Sequence, residues 1–229
     1  ALVDLDASWY VGEVCALLGP NGSGKSTLLN LLSTLMAPSE GGLYLEGERV
    51  TRAQSASLRA KVGFVGHHTM LYGGLSALEN LKFFAGLYHA WPAEMRGGGS
   101  DDARRAWLME RLSAVGLDRV ADRPARGFSR GMAQRLTLAR ALLPNPLVLL
   151  LDEPFTGLDR EGIDRVCELI SAQRDRGASV ILSSHDFDTV ERLADRALIL
   201  RRGRLQTLED APRGEPGALL ALYQRRINA

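Results

Sequence analysis

The sequence predicts an α/β fold, a mostly parallel sheet covered by helices, with a helical unit inserted into it. Short apolar runs of strand length recur along the chain and longer helical stretches separate them. Between Leu71 and roughly Leu143 the pattern becomes mainly helical. With 45% hydrophobic and 24% charged residues over 229 positions, there is enough apolar surface to bury a real core in one large or two closely joined units.

The first apolar run is Val14 to Leu18. A glycine-rich loop follows, then Leu28, Leu29, Leu31, Leu32 and Leu35 at a helical period, and turn-rich Ala37 to Gly42 ends that helix. Val62 to Val65 forms the next strand-sized run. Beyond it, Leu78, Leu81, Phe84 and Leu87 share one helical face, and Trp107, Leu108, Arg111, Leu112 and Val115 form a second amphipathic stretch. Pro92 to Asp102, with Gly97, Gly98, Gly99, Ser100 and two aspartates, has the composition of a flexible surface loop. Val148 to Leu151, Val180 to Ser183 and Ala197 to Leu200 complete the strands. The chain therefore reads as a single domain, with residues 71–143 as the helical insert and residues 1–70 and 144–229 as the sheet core.

Composition excludes several classes. Lys and Arg number 28 against 27 Asp and Glu, so a net charge of +1 gives no field for drawing in nucleic acid, and no basic patch suggests one. No apolar run approaches the roughly 20 residues that span a bilayer. Cys15 and Cys167 lie far apart in apolar surroundings and read as free thiols in a reducing compartment. The chain starts at Ala1 and enters a strand pattern almost at once, which suggests that natural N-terminal residues precede it.

Gly19-Pro20-Asn21-Gly22-Ser23-Gly24-Lys25-Ser26-Thr27 fits the phosphate-loop pattern G-x-x-x-x-G-K-[ST] and sits between a predicted strand and a predicted helix. Glycines let successive N–H groups converge on a phosphate, and the helix N-terminus adds positive potential. Lys25 is placed to meet the β- and γ-phosphates of ATP, and the Ser26 hydroxyl to ligate Mg²⁺. The apolar run from Val148 ends in Asp152 and Glu153. Asp152 suits a magnesium site, and Glu153 is the candidate for polarising the attacking water. Two adjacent acids at a buried strand end are costly without a cation.

The order of the remaining motifs resembles the ATP-binding-cassette family over nearly the whole chain. Phe128-Ser129-Arg130-Gly131-Met132, ahead of a helix from Gln134 to Leu143, is similar to that family's LSGGQ signature; Ser129 and Gly131 match it, whereas Phe128, Arg130 and Met132 depart. In the family the signature of one subunit caps the γ-phosphate held by the other. Gly157-Leu158-Asp159 resembles the D-loop and Ser183-Ser184-His185-Asp186 the switch-histidine segment. Where the family has its Q-loop glutamine this chain has Gly66-His67-His68, with His67 the better alignment and His68 the alternative. The aromatic residue that stacks on adenine would precede the first strand, and Trp9 is not a safe substitute.

The resemblance implies a P-loop NTPase of the ABC-ATPase type, with an antiparallel β subdomain beside the parallel core. It implies ATP and Mg²⁺ as cofactors, catalytic roles for Glu153, His185 and Lys25, and magnesium contacts from Ser26, Asp152 and His67. Ser129, Arg130, Gly131 and Met132 would contact ATP across a dimer, and Asp159 would couple its two sites. It further implies an integral membrane partner and a place on the cytoplasmic side of the cell membrane. Within the family, Gly66-His67-His68, Leu71-Tyr72, the run Leu75 to Leu81 and the FSRGM signature look like the haem-exporter ATPases of cytochrome c maturation. An ATPase of another ABC-2-type exporter, moving drug, lipid or polysaccharide, and a slowly hydrolysing regulatory module are the alternatives. Part of the face carrying Tyr72, Leu75, Leu78 and Phe83 is expected to stay exposed for a membrane partner, with Leu78 the member best suited to the interior.

Overall fold

The computed structural model describes residues 2–51, 60–208 and 217–228. The strands are β1 (Val14–Leu18), β2 (Tyr44–Leu45), β3 (Glu48–Arg49), β4 (Val62–Val65), β5 (Val148–Asp152), β6 (Ser179–Ser183), β7 (Arg196–Arg201) and β8 (Arg204–Leu208). The helices are α1 (Lys25–Leu32), α2 (Ala77–Leu87), α3 (Asp101–Ala114), α4 (Arg130–Leu142), α5 (Arg160–Asp175), α6 (Phe187–Leu193) and α7 (Ala218–Asn228).

The main sheet runs β4-β5-β6-β1-β7-β8. Its first five strands are parallel, and β8 returns antiparallel on β7. The pair β2–β3 is a separate antiparallel ribbon. Every residue of β1 is buried, as are all those of β6, which is the pattern of strands covered on both faces.

Strand alternation sorts the core into two layers. Val14, Ala16, Leu18, Leu149, Leu151, Val180, Leu182, Ala197 and Ile199 face one side, where Val166 and Ile170 of α5 and Val190 of α6 pack on them. Their alternates Cys15, Leu17, Leu150, Ile181, Leu198 and Leu200 face the other, where Leu28 and Leu29 of α1 cover them. Each fully buried leucine contributes about 1.5–3 kcal/mol through the apolar surface it removes from water.

Between β4 and β5 the chain builds its own apolar cluster from Leu81 and Phe84 of α2, Trp107, Leu108 and Leu112 of α3, and Leu136 and Ala139 of α4. Helix α2 starts with a reciprocal capping box: Ser76 Oγ accepts from Glu79 N at 3.1 Å and Glu79 Oε2 accepts from Ser76 N at 2.7 Å. Asn80, fully buried, grips the preceding turn, its Oδ1 accepting from Tyr72 N and its amide donating to the carbonyls of Tyr72, Leu75 and Ser76. Within α3, the guanidinium of Arg111 lies 3.9 Å from the Trp107 ring centroid, which explains a cation on an otherwise apolar stripe.

Several boundaries differ from the sequence reading. The expected loop from Pro92 to Asp102 contains a 3₁₀ turn at Ala93–Met95, and Ser100 caps α3 by accepting from Ala103 N, so Asp101 and Asp102 are helical. Two acids in a first helical turn are favoured by the helix dipole. Helix α4 begins at Arg130 rather than Gln134, and α1 stops at Leu32 rather than reaching Leu35. Strand β8 and helix α7 have no counterpart in the sequence reading.

Candidate functional site

Parallel pairing places the ends of β1, β5 and β6 on one edge of the sheet. The register sets Asp152 level with Ser183, and Ser183 level with Leu17, just before the glycine loop. The glycine loop, the two acids and the Ser183–His185 segment therefore emerge side by side, although they are far apart in sequence.

In the loop, Gly19 has φ +152°, and a Cβ there would lie 2.3 Å from the Leu200 carbonyl oxygen. Glycine is required at that position by both conformation and space. Gly24, the residue before α1, is left-handed, and α1 has no side-chain cap and no acid in its first turn. Its leading N–H groups remain open to an anion. The buried Ser23 hydroxyl has no hydrogen-bond partner. Lys25 is itself buried, with Nζ donating to the carbonyls of Gly19 at 2.7 Å and Pro20 at 3.3 Å. Burial pushes its pKa down, and the nearby carboxylates of Glu153 and Asp152 push it back up.

Across the edge, Asp152 is only 4% exposed. Its Oδ1 accepts from Ser183 Oγ at 2.6 Å, and its Oδ2 lies 3.5 Å from His67 Nε2. Glu153 takes a left-handed conformation, φ +53°, at the abrupt end of β5. Its N–H donates to the Ser183 carbonyl at 3.1 Å and to Ser183 Oγ at 3.2 Å. One carboxylate oxygen of Glu153 accepts from His185 N at 3.3 Å, while the other is buried with no hydrogen bond. His185 Nε2 lies 3.1 Å from Asn21 Oδ1, so the ring closes the gap between the β6 end and the glycine loop. His68, like His67, is exposed, but it is His67 that faces Asp152.

The signature residues stand outside this cluster. Ser129 caps α4, its Oγ accepting from Met132 N at 3.2 Å, and both Ser129 and Arg130 are exposed. Gly131 is buried; a Cβ there would lie 2.7 Å from the Gly157 carbonyl oxygen. Gly157, at φ +79°, is in turn covered by the aliphatic stem of Arg130. The first turn of α4 is thus seated directly on the segment Gly157-Leu158-Asp159. Asp159 caps α5, accepting from Gly162 N at 2.9 Å.

Sequence reasoning assigned no role to Ser183, Asn80 or Arg140. A serine at the end of an apolar strand and an arginine inside the apolar run Leu136 to Ala141 were the visible signals.

A strand, a glycine loop and a helix that leave a row of open N–H groups, facing a second strand that ends in paired acids, define a P-loop nucleotide hydrolase. The chain belongs to the ABC transporter family, whose model matches residues 2–156. It is 37% identical over 218 residues to the lipoprotein-releasing system ATP-binding protein LolD 1 of Caulobacter vibrioides, covering 93% of this chain and 89% of that one. It is 39% identical over 181 residues to the cytochrome c biogenesis ATP-binding export protein CcmA 2 of Cupriavidus metallidurans, covering 79% and 80%. Among solved structures, the dimeric post-hydrolysis state of an ATP-binding cassette bound to ADP and Pi superposes with a TM-score of 0.78 at 29% identity, over 91% of this chain and 90% of that one.

The protein is an ATP-binding subunit of an ABC transporter and an ATPase that uses ATP and Mg²⁺. The residues present fit those groups: open amides and an orphaned hydroxyl surround the phosphate loop, and a buried carboxylate stands opposite. Among the described residues, no helix is long and apolar enough to cross a membrane.

Proposed function

We propose that this chain is the motor of an export-type ABC transporter of the haem-export and cytochrome c maturation kind. It works as a head-to-tail dimer bound to an integral membrane subunit on the cytoplasmic face. The observation that carries the reading is the split between two half-sites. Lys25, Asp152, Glu153 and His185 converge at one sheet edge, while Ser129 and Arg130 are exposed at the start of α4, where a second copy would meet them.

In this reading the amides of residues 19–27 hold the phosphates, and Lys25 leaves its carbonyl partners to meet the β- and γ-phosphates. Ser26, Asp152 and His67 would hold the metal, which when bound would neutralise charge on the phosphate oxygens. Glu153 orients a water and accepts its proton as the water oxygen bonds to the γ-phosphorus and the bond to the bridging oxygen of ADP breaks. His185, already reaching to Asn21, hydrogen-bonds the γ-phosphate and reports its loss. Ser129 and the first N–H groups of α4 cap the γ-phosphate of the partner copy.

The likeness to the cytochrome c biogenesis protein over 79% of this chain supports the cargo class, alongside the His67-His68 turn. The longer match to the lipoprotein-releasing protein supports a second reading, another export cargo. Co-purification of this chain with its membrane subunit, followed by ATPase assay of the complex with and without haem, tests the first reading. Haem-independent turnover in a complex stimulated by a lipoprotein instead selects the second.

A further inference from the structure

Arg140, in the last turns of α4, is 4% exposed and has no carboxylate partner among the described residues. Its guanidinium is spent on main-chain carbonyls: Nη2 donates to Phe64 O at 3.0 Å and Nη1 to Thr69 O at 3.1 Å, while Nε is buried with no hydrogen bond. Thr137, one turn earlier on the same face, donates its hydroxyl proton to Ala133 O at 2.8 Å and lies only 3.4 Å from the Thr69 oxygen, so Arg140 is the main hold on that carbonyl. Beneath the guanidinium lies the Phe84 ring, 5.2 Å to its centroid. A buried cation without a counter-ion is expensive, and apolar residues fill such helix positions at lower cost.

The two carbonyls it holds bracket a single loop. Phe64 lies in β4, Thr69 five residues on, and between them stand Val65, Gly66, His67 and His68. Val65 is fixed by its pairing with β5 and Gly66 is buried, so the part left to be held is His67 and His68, both exposed, with Met70 beyond them in a left-handed conformation at φ +52°. Two ends of a loop gripped by one planar fork form a fixed frame, which a lysine's single ammonium point cannot reproduce.

We infer that Arg140 is a positioning residue for the metal-side histidine: by clamping Phe64 O and Thr69 O from α4, it holds His67 against Asp152. The inference rests on the reading of His67 as a metal contact. Because α4 also carries Ser129 at its other end, the same helix that presents the signature to a second copy sets the loop facing the first copy's own phosphates.

The test uses the full chain and its Arg140→Lys, His67→Ala and double variants, with two readouts. The first is ¹⁵N relaxation of the His67, His68 and Thr69 backbone without nucleotide. Arg140→Lys should lower the order parameters of these three residues from about 0.85 toward about 0.6 while the rest of the sheet keeps its values. The second is the Mg²⁺ concentration for half-maximal ATPase. It should rise by on the order of tenfold in Arg140→Lys, with KM for ATP little changed, and Arg140→Lys should add nothing further once His67 is alanine.

Order parameters and Mg²⁺ dependence at wild-type values in Arg140→Lys overturn the inference, as do effects that multiply in the double variant. If His67→Ala itself leaves the Mg²⁺ dependence unchanged, the metal reading of His67 fails instead. Should Arg140→Lys not fold, Arg140→Gln carries the test: its amide offers one donor group in place of the guanidinium fork, so the order parameters of the same three residues should fall, and unchanged values there overturn the clamp.

Discussion

Ser183 Oγ donates to Asp152 Oδ1 at 2.6 Å and lies 3.2 Å from the N–H of Glu153, so one hydroxyl touches both members of the acid pair. It is fully buried. Replacing it with alanine leaves a buried carboxylate oxygen short of a donor and loosens the backbone at a left-handed glutamate. Ser183→Ala should cost about 1–3 kcal/mol of stability. It should also lower kcat by roughly tenfold with little change in ATP affinity, because the acids rather than the phosphate loop are displaced. Chemical denaturation and steady-state ATPase assays check both expectations.

Lys25→Ala should lose most ATP affinity, since a charge-assisted donor to the phosphates disappears. Burial already disfavours the Lys25 cation in the free protein, and the nearby carboxylates of Glu153 and Asp152 only partly offset that. The free variant should therefore melt close to wild type. Calorimetry showing ATP binding at full strength contradicts the phosphate-loop assignment.

Glu153→Gln keeps the side chain's shape and one hydrogen bond but cannot accept a proton from water. It should bind Mg-ATP, hydrolyse it more than a hundredfold slower, and accumulate as an ATP-bound dimer on size exclusion. Wild-type turnover moves the base to another residue.

Ser129→Arg should abolish hydrolysis while leaving ATP binding to the monomer nearly intact. Ser129 is exposed, and none of its hydrogen bonds reaches the glycine loop. An equal loss of binding places Ser129 in its own copy's pocket and contradicts a head-to-tail arrangement.

The aromatic surface beside α2 carries the last prediction. Tyr72 is 50% and Phe83 43% exposed, their rings edge to face at 4.8 Å, whereas Leu78 is buried and Leu75 half-buried. Exposed aromatic clusters of this kind are suited to an interface. Asn80 holds the backbone of Tyr72 through both its N–H and its carbonyl, so a new side chain leaves the turn in place. Tyr72→Glu should weaken binding to the membrane subunit by more than tenfold while basal ATPase stays near wild type. Unchanged membrane recruitment, or unfolding of Tyr72→Glu, removes this surface from consideration.

What could be read without the structure was whatever the chain encodes over a few consecutive residues. Apolar runs announced β1 and β4 to their ends, and β5 to β7 to within a residue, because a doubly covered strand must be apolar throughout. The loop around Gly19, Gly24 and Lys25 is legible because contiguous backbone forms it. Strand β8 escaped because Arg204, Gln206 and Thr207 dilute its apolar pattern, and α3 began early because Ser100 acts as a cap rather than a linker residue.

The amino-acid sequence by itself therefore determined the fold class, the phosphate loop and the identity of the acids. Only the tertiary structure decided which groups meet. Ser183 reaches Asp152 across 31 positions, and Arg140 reaches Thr69 and Phe64 across 71 and 76. The sequence already preferred His67 to His68, but only the tertiary structure sets its ring 3.5 Å from Asp152. The physical reason is that parallel strand register and helix docking are set by burial summed over the whole core. No local pattern contains that sum, so an arginine that clamps a distant loop looks in the sequence like any cation on a helix.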